Sequence, residues 1–176
     1  MNDAPTQRDF RSLFELHYPQ VEAYARRRCA RPADADDVVA ETFTVAWRRF
    51  DDIPAEPLPW LYGVARKVLA NQRRGQRRWA SLIDRLRREP ADVATPPDTG
   101  EPVRVALARL RPAEQEILRL SAWEGLTPQE IGSVLGISAN AASIRLHRAR
   151  KQLVAELNAL GLAPRKSEAG AGHVVG

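Results

Sequence analysis

Apolar residues in the first eighty positions recur at the spacing of amphipathic helices. One pattern covers 10–25, where Pro19 predicts a kink near Tyr18. A second runs from about Ala33 to Phe50, and a third begins near Trp60 and ends near Arg78. Strict alternation of apolar and polar residues, which is typical of half-buried strands, occurs nowhere. The pattern therefore predicts an all-α fold.

Near the C-terminal end, two short helical patterns follow each other around a glycine. Thr127 and Glu130 form a capping box, in which each side chain accepts a bond from an otherwise unpaired backbone N–H. Gly136 stands where a helix ends with a positive φ angle, and Ser138 caps the next helix, predicted to run to Leu153. Two capped helices around a glycine turn are typical of a DNA-binding helix-turn-helix.

The second helix of this motif has an apolar face and a basic face. At 100° per residue, Ala142, Leu146 and Ala149 point towards the first helix. A basic surface helix without a DNA partner is the alternative interpretation, and the caps and glycine turn favour DNA. An outward isoleucine could contact a thymine methyl group, and arginines could hold phosphates. The candidate contacts on and beside the outward face are Ser143, Ile144, Arg145, His147, Arg148 and Lys151.

A proline-rich segment separates the two helical blocks. Positions 89–102, EPADVATPPDTGEP, contain four prolines and cannot sustain a helix or a strand. We therefore expect two small helical domains, at 8–80 and 103–162, joined by a flexible Pro-rich linker at 81–102. The Gly- and Ala-rich tail, 163–176, is expected to be disordered.

The third helical pattern is basic and lacks carboxylates. No acidic residue lies between Trp60 and Ile83, and its arginines lie opposite the apolar stripe. With Trp60 and Tyr62 near its start, such a helix can bind a nucleic-acid backbone and stack unpaired bases. The alternative is a solubilising face with both aromatic rings in the core. The arginines favour the interpretation as a nucleic-acid surface, whereas the aromatic residues, taken alone, favour the interpretation as core residues.

Acidic residues precede and line the apolar residues of the second helical pattern. Asp34, Asp36, Asp37 and Glu41 accompany apolar residues that include Trp47. Metal binding is one interpretation, but no His or Cys lies nearby and no calcium-binding loop pattern occurs. Helix capping combined with a protein-docking surface is favoured, because such surfaces pair apolar anchors with a polar rim.

Composition narrows the function classes. The net charge of +5 fits a polyanionic partner, and the single cysteine, Cys29, excludes an intrachain disulfide and a cysteine-based metal cluster. No signal peptide and no membrane-spanning run occur, so we expect a cytoplasmic protein without membrane insertion. The three histidines form no catalytic pattern, and no glycine-rich phosphate loop occurs. We expect no enzymatic activity, no cofactor and no metal.

Three segments resemble bacterial RNA polymerase sigma factors of the extracytoplasmic-function subfamily, within the sigma-70 family. DADDVVAETFTVAWRRF, at 34–50, resembles the helix that binds core polymerase. PWLYGVARKVLANQRRGQRR, at 59–78, resembles the helix that recognises the −10 promoter element. LTPQEIGSVLGISANAASIRLHRARKQL, at 126–153, resembles the helix-turn-helix that binds the −35 element. The resemblance implies a factor that recognises both elements and promotes strand opening at transcription initiation.

The resemblance also implies a role for particular residues. The loop 51–59 would receive a base flipped from the −10 strand, and the six residues of the basic helix-turn-helix face would contact the −35 element. Such factors are often held by an anti-sigma factor. Core polymerase would be bound by Asp36, Asp37, Glu41, Thr42, Phe43 and Trp47. The −10 DNA would be bound by Trp60, Arg66, Asn71, Arg74 and Arg77.

Three positions depart from the family pattern, and one alternative function remains. The family often has Asn at the position of Lys67, a larger aliphatic residue at Ala142, and Lys or Arg at Ser143. The last difference bears on the −35 sequence preference. The alternative is a two-domain regulator that binds DNA without joining polymerase. This hypothesis would explain the helix-turn-helix, but it assigns no role to the acidic and aromatic helix.

Overall fold

A computed structural model describes the backbone of residues 3–84 and 101–161, and the side chains of residues 9–76 and 103–161. Every regular element in these ranges is helical, which confirms the all-α prediction. A single 3₁₀ turn, Phe50–Asp52, follows the second helix. The α-helices are α1 (Asp3–Arg26), α2 (Pro32–Arg48), α3 (Pro57–Asp84), α4 (Glu101–Arg109), α5 (Pro112–Ala122), α6 (Pro128–Leu135) and α7 (Ala139–Ala159).

Helices α1, α2 and α3 form the N-terminal helical unit. Each packs against the other two, and their apolar stripes meet in a core that includes Val21, Val38 and Leu61. Helix α1 continues through Pro19 as one element, where the sequence predicted a kink. Burial of Val21 and Tyr24 just beyond the proline stabilises that part of α1 and offsets the backbone hydrogen bond that proline cannot donate.

The C-terminal unit contains the predicted helix-turn-helix. Thr127 Oγ1 accepts from the Glu130 N–H at 3.3 Å, and Glu130 Oε2 accepts from the Thr127 N–H at 2.7 Å. Gly136 has φ of 69°, and Ser138 Oγ accepts from the Ala141 N–H at 3.1 Å. The capping box, the glycine turn and the second cap are therefore confirmed.

Several predicted bounds differ from those of the structure. Helix α3 continues to Asp84 and α4 begins at Glu101, so both ends of the segment assigned to the linker are helical. Helix α7 continues past Leu153 to Ala159. Each extension is at most about two turns long, and apolar periodicity places the ends of a helix less well than its middle. The rest of the linker and the tail predicted at 163–176 lie outside the described residues.

The two helical units pack against each other. Helix α3 contacts α6, and the buried apolar residues of both units form one continuous cluster. Gly63 of α3 lies so close to α6 that a Cβ atom there would be 3.8 Å from the Val134 carbonyl oxygen. The sequence predicted two linked domains and contained no indication of this contact.

Candidate nucleic-acid interface

The exposed side of α7 is set by what its opposite side buries. Ala142, Leu146 and Ala149 are buried against the rest of the unit, as the helical periodicity predicted. The structure places all six candidate contacts at the surface, including Ile144, which is 45% exposed. They are Ser143, Ile144, Arg145, His147, Arg148 and Lys151.

Contacts at both ends and along one side hold α7 in place. Ser138 caps its first turn, and Arg150 donates to the Ser121 hydroxyl on α5 at 3.0 Å. Near its other end, Glu156 pairs with Arg109 of α4 at 3.6 Å. The exposed basic side is therefore presented on a helix whose position is fixed within the C-terminal unit.

The basic helix α3 exposes three of its five candidate −10 residues. Arg66, Asn71 and Arg74 are exposed, and Arg74 donates a hydrogen bond to the Asn71 side-chain oxygen. Trp60 is half-buried, with the Arg49 guanidinium 5.9 Å from its ring centroid. The backbone of Arg77 is helical, but its side chain lies outside the described residues.

Two other residues of α3 make contacts within the protein. Tyr62 is 3% exposed and stacks on Tyr24 at 4.9 Å between ring centroids, so for this ring the core interpretation is correct. Burial, assisted by the nearby Glu124 carboxylate, raises the pKa of Tyr62 to about 12. Arg73 donates to the Arg28 carbonyl oxygen at 3.1 Å and so links α3 to the end of α1.

The acidic helix α2 divides its candidate residues between surface and core. Asp36, Asp37, Glu41 and Trp47 are exposed. The Trp47 ring lies edge-on to Phe10 at 4.9 Å, which fixes its position at the surface. These four residues are called the exposed acidic and aromatic strip of α2. Asp36 and Trp47 contact α1, whereas Asp37 and Glu41 line the side that faces α3.

The other two candidates on α2 are buried, which corrects their predicted role as direct contacts. Thr42 is fully buried and donates to the Val38 carbonyl oxygen at 2.7 Å. Phe43 is 5% exposed and packs against Phe14 at 4.7 Å. The apolar stripe of α2 requires both residues in the core, and the sequence resemblance did not separate the stripe from the exposed strip.

An open groove of about 660 Å³ lies between α2 and α3. Asp37, Glu41 and Arg49 line its α2 side, and Lys67 and Asn71 line its α3 side. The acidic strip and the basic helix therefore meet across this groove.

The described residues contain no candidate metal site and no membrane-spanning helix. In these ranges no group of three or more His, Cys, Asp or Glu residues is placed to hold a metal ion. Nor does any helix among them have the length and apolarity needed to cross a bilayer.

Two family models match separate parts of the chain. The model of sigma-70 region 2 matches residues 13–79, which lie in the N-terminal unit. The model of sigma-70 region 4 matches residues 100–153, which include the helix-turn-helix. The chain belongs to the sigma-70 family of RNA polymerase sigma factors, in its extracytoplasmic-function group. This sigma factor therefore recognises promoters, and its partners are core RNA polymerase and promoter DNA.

Relatives of this sigma factor match it over most of their length. RNA polymerase sigma factor CarQ of Myxococcus xanthus is 32% identical, over 82% of this chain and 86% of CarQ. RNA polymerase sigma factor NccH of Alcaligenes xylosoxydans xylosoxydans is 30% identical, over 84% of this chain and 86% of NccH. The ECF RNA polymerase sigma factor SigL of Mycobacterium tuberculosis is 28% identical, over 86% of this chain and 90% of SigL.

Solved structures agree on the fold. CnrH, in complex with the cytosolic domain of CnrY, is 28% identical with a TM-score of 0.61, over 87% of this chain and 90% of CnrH. The sigma factor RpoE, in complex with the anti-sigma factor NepR from Bartonella quintana, has a TM-score of 0.65 at 22% identity, over 85% and 97% of the two chains.

The sequence did not predict the pairing of polar residues between the two units. Arg27 and Arg28, just after α1, form ion pairs with Glu116 of α5 and with Glu124, just after α5. These residues are separated by 88 to 97 positions, so no local periodicity relates them. Correlated variation between distant positions is the sequence signal that could have indicated this pairing.

Proposed function

We propose that α7 contacts the −35 element through Ser143, Ile144, Arg145, His147, Arg148 and Lys151. The observation that carries the proposal is that all six are exposed on a capped helix whose other side is buried. Arg148 and Lys151 are suited to guanine edges or phosphates, and Ile144 is suited to a thymine methyl group. Ser143 is small, and it offers a hydroxyl group at a position where the family often has Lys or Arg.

For the −10 element we propose α3, with Trp60, Arg66, Asn71, Arg74 and Arg77 as its contacts. Arg66 and Arg74 are exposed and can neutralise the phosphates of a separated strand. The loop ahead of α3, at 51–59, would receive an extruded base. Extruding a base costs a few kcal/mol of stacking, which such contacts would offset.

The proposed docking surface for core polymerase is the exposed strip of α2, formed by Asp36, Asp37, Glu41 and Trp47. Its chemistry suits a basic partner surface that has an apolar pocket for the indole ring. Thr42 and Phe43 would contribute indirectly, because their burial fixes the position of α2 within the N-terminal unit.

An anti-sigma factor is a further proposed partner. RpoE and CnrH are each described in a complex of this kind, with NepR and with the cytosolic domain of CnrY. We also propose that the chain acts in the cytoplasm and carries no catalytic residues of its own. Its contribution to initiation is then binding energy, while polymerase carries out the chemistry.

Run-off transcription with core polymerase tests the whole proposal. The template carries a promoter selected from random sequence by the holoenzyme, and scrambled −10 and −35 versions serve as matched controls. We expect specific initiation that depends on both elements. Binding to DNA without association with core polymerase would instead favour a regulator of the alternative class.

A further inference from the structure

One arginine side chain, that of Arg49, joins the two ends of the loop at 51–59. Arg49 directly follows α2, and Trp60, the residue after the loop, lies in the first turn of α3. The Arg49 guanidinium carbon lies 5.9 Å from the centroid of the Trp60 ring, within the cation–π range of about 6 Å. Arg49 Nε also donates to the carboxylate of Asp52, inside the loop, at 3.0 Å. Arg49, Asp52 and Trp60 are called the Arg49 bridge.

Backbone hydrogen bonds order the same part of the loop. The Asp52 N–H donates to the Arg49 carbonyl oxygen at 3.0 Å, and the Ile53 N–H donates to the Phe50 carbonyl oxygen at 3.2 Å. Ile53 is half-buried and packs against the core, and the three prolines of the loop fix its φ angles at their positions. The Arg49 bridge therefore closes a segment that already has few backbone conformations.

The Arg49 bridge lies beside the surface proposed for the −10 strand. Arg49 lines the groove between α2 and α3, and Asn71, a proposed −10 contact, lines its opposite wall. The nearest acidic residue of the groove on α2, Glu41, is eight residues away, or about 12 Å along a helix. The end of the groove next to the loop is therefore the end away from the carboxylates of α2.

Two roles are open to an exposed arginine at this place, which are contact with a DNA phosphate and positioning of the loop. The side chains of Arg49 and Asp52 are 55% and 59% exposed, and the carboxylate offsets the charge of the guanidinium. An ion pair attracts a phosphate less than an isolated cation does. The planar guanidinium instead fixes two directions at once, one towards the carboxylate and one towards the indole ring. These contacts favour the positioning role.

We propose that Arg49 is a positioning residue for strand opening, which holds the loop and Trp60 in the arrangement that receives the extruded base. The proposal deepens the proposed function and rests on it, since there the loop takes a base from the −10 strand. A loop that is ordered before binding loses less conformational entropy on capture. More of the contact energy with the base then offsets the cost of unstacking it.

Three substitutions separate positioning from attraction of a phosphate. Arg49→Ala removes the whole side chain, and Arg49→Lys keeps the charge but loses the planar group and Nε. Asp52→Asn removes a negative charge from the loop. Attraction alone predicts that Asp52→Asn tightens DNA binding, whereas positioning predicts that it weakens the binding that depends on the extruded base.

Arg48→Ala is the matched control. Arg48 is an exposed arginine in the last turn of α2, one position before Arg49. Both cations lie at the helix C-terminus, where the helix dipole favours positive charge. The control therefore removes the same charge from the same end of α2, and it leaves the Arg49 bridge in place.

Base capture is measured with the full chain bound to core polymerase. The DNA is the selected promoter with its −10 strand unpaired, and an abasic nucleotide replaces each −10 position in turn. Fluorescence anisotropy gives the ratio of the affinities for intact and abasic DNA. For the parent we expect a loss of about tenfold at the position of the extruded base.

In Arg49→Ala this ratio should fall about threefold, the scale of an exposed ion pair, while abasic DNA is bound as by the parent. Arg49→Lys and Asp52→Asn should behave in the same way, and Arg48→Ala should keep the ratio of the parent. A parental ratio in Arg49→Lys, or tighter binding by Asp52→Asn, would overturn the positioning role. Equal losses on intact and abasic DNA in Arg49→Ala would also overturn it, because they would indicate a general effect.

Order in the loop is measured without DNA, by amide hydrogen exchange in the full chain. The amides of Asp52 and Ile53 should exchange about threefold faster in Arg49→Ala than in the parent, and at the parental rate in Arg48→Ala. Unchanged exchange in Arg49→Ala would overturn the proposal.

The two experiments also separate this proposal from the function on which it rests. A parent that binds every abasic strand as tightly as the intact strand would refute base capture itself. Base capture that Arg49→Ala leaves unchanged would refute only the role of Arg49.

Discussion

Arginines play opposite parts at two places in the molecule. At the interdomain face, Arg28 is buried, and its nitrogens donate to two carboxylates of the other unit and to a backbone carbonyl. On α7, Arg145 and Arg148 are exposed, and no ion pair engages them within the described part of the chain. A positive net charge therefore does not show which arginines are available to DNA, since some are already neutralised by partners.

The sharpest test of the α7 surface concerns the glycine that supports it. A Cβ atom on Gly132 would lie 2.7 Å from the Ile137 carbonyl oxygen, so the turn between α6 and α7 would have to shift. We expect Gly132→Ala to cost about 3 kcal/mol in the free energy of unfolding of the C-terminal unit. Urea denaturation followed by circular dichroism measures this cost.

The matched control is Gly75→Ala in α3, where a Cβ atom would meet no neighbour within 4 Å. It should stabilise the helix by about 0.5–1 kcal/mol. Equal effects of the two substitutions would contradict the close approach at Gly132.

A second prediction separates a base-contacting arginine from one engaged within the protein. Arg148→Ala should weaken −35 binding by about 2 kcal/mol and relax the preference at one base pair. Arg150→Ala is the comparison, because Arg150 is bonded to Ser121. It should leave base preference unchanged. Fluorescence anisotropy with single-base variants of the element measures both effects, and an unaltered preference in Arg148→Ala would remove that residue from base contact.

The third prediction extends the comparison to the acidic strip of α2. Asp37→Lys should weaken core polymerase binding about tenfold, or about 1.4 kcal/mol, and leave folding intact. Glu15→Lys reverses an exposed negative charge on α1 and should have little effect. Biolayer interferometry on core polymerase measures both affinities. An equal loss in the two variants would indicate a general charge effect.

The smallest expected effect concerns the pH dependence of interdomain packing. The pKa of Tyr62 is raised to about 12 in the folded protein, above the value of about 10 for free tyrosine. The neutral phenol therefore contributes stability that is complete below pH 10 and is lost as the pH rises towards 12. We expect a loss on the order of 1 kcal/mol, measured as the unfolding midpoint between pH 9 and pH 11.5. Tyr62→Phe keeps the ring and should reduce this slope by about half, because burial also raises the pKa of Tyr24 above its usual value. A slope that persists unchanged would assign it to another group.

Local chemistry explains why much of the fold could be predicted from the sequence. Thr127, Gly136 and Ser138 act on backbone groups within four residues of themselves, so their spacing determined the turn and both caps. The buried stripe of α7 followed from helical periodicity in the same way. Local rules also predicted that the basic and acidic helices present different surfaces.

Features that depend on distant residues could not be predicted in this way. Thr42 and Phe43 lie in a stretch that resembles a docking helix, and only the packing of α2 within the N-terminal unit shows that they are buried. In the sequence nothing distinguishes Arg28 from a surface arginine, because Glu116 and Glu124 lie 88 and 96 positions away. Long-range pairing of charges leaves no periodic pattern in one sequence.

The contacts along α7 have a consequence for the thermodynamics of DNA binding. Its first turn is capped, Arg150 is bonded to α5, and Glu156 is paired with α4, so the helix is ordered before it meets a duplex. Association then costs little additional backbone entropy, and most of the contact energy at the groove contributes to affinity. A recognition helix of this kind should discriminate among sequences through the cost of mismatched contacts, because it has little freedom to adapt to a wrong site.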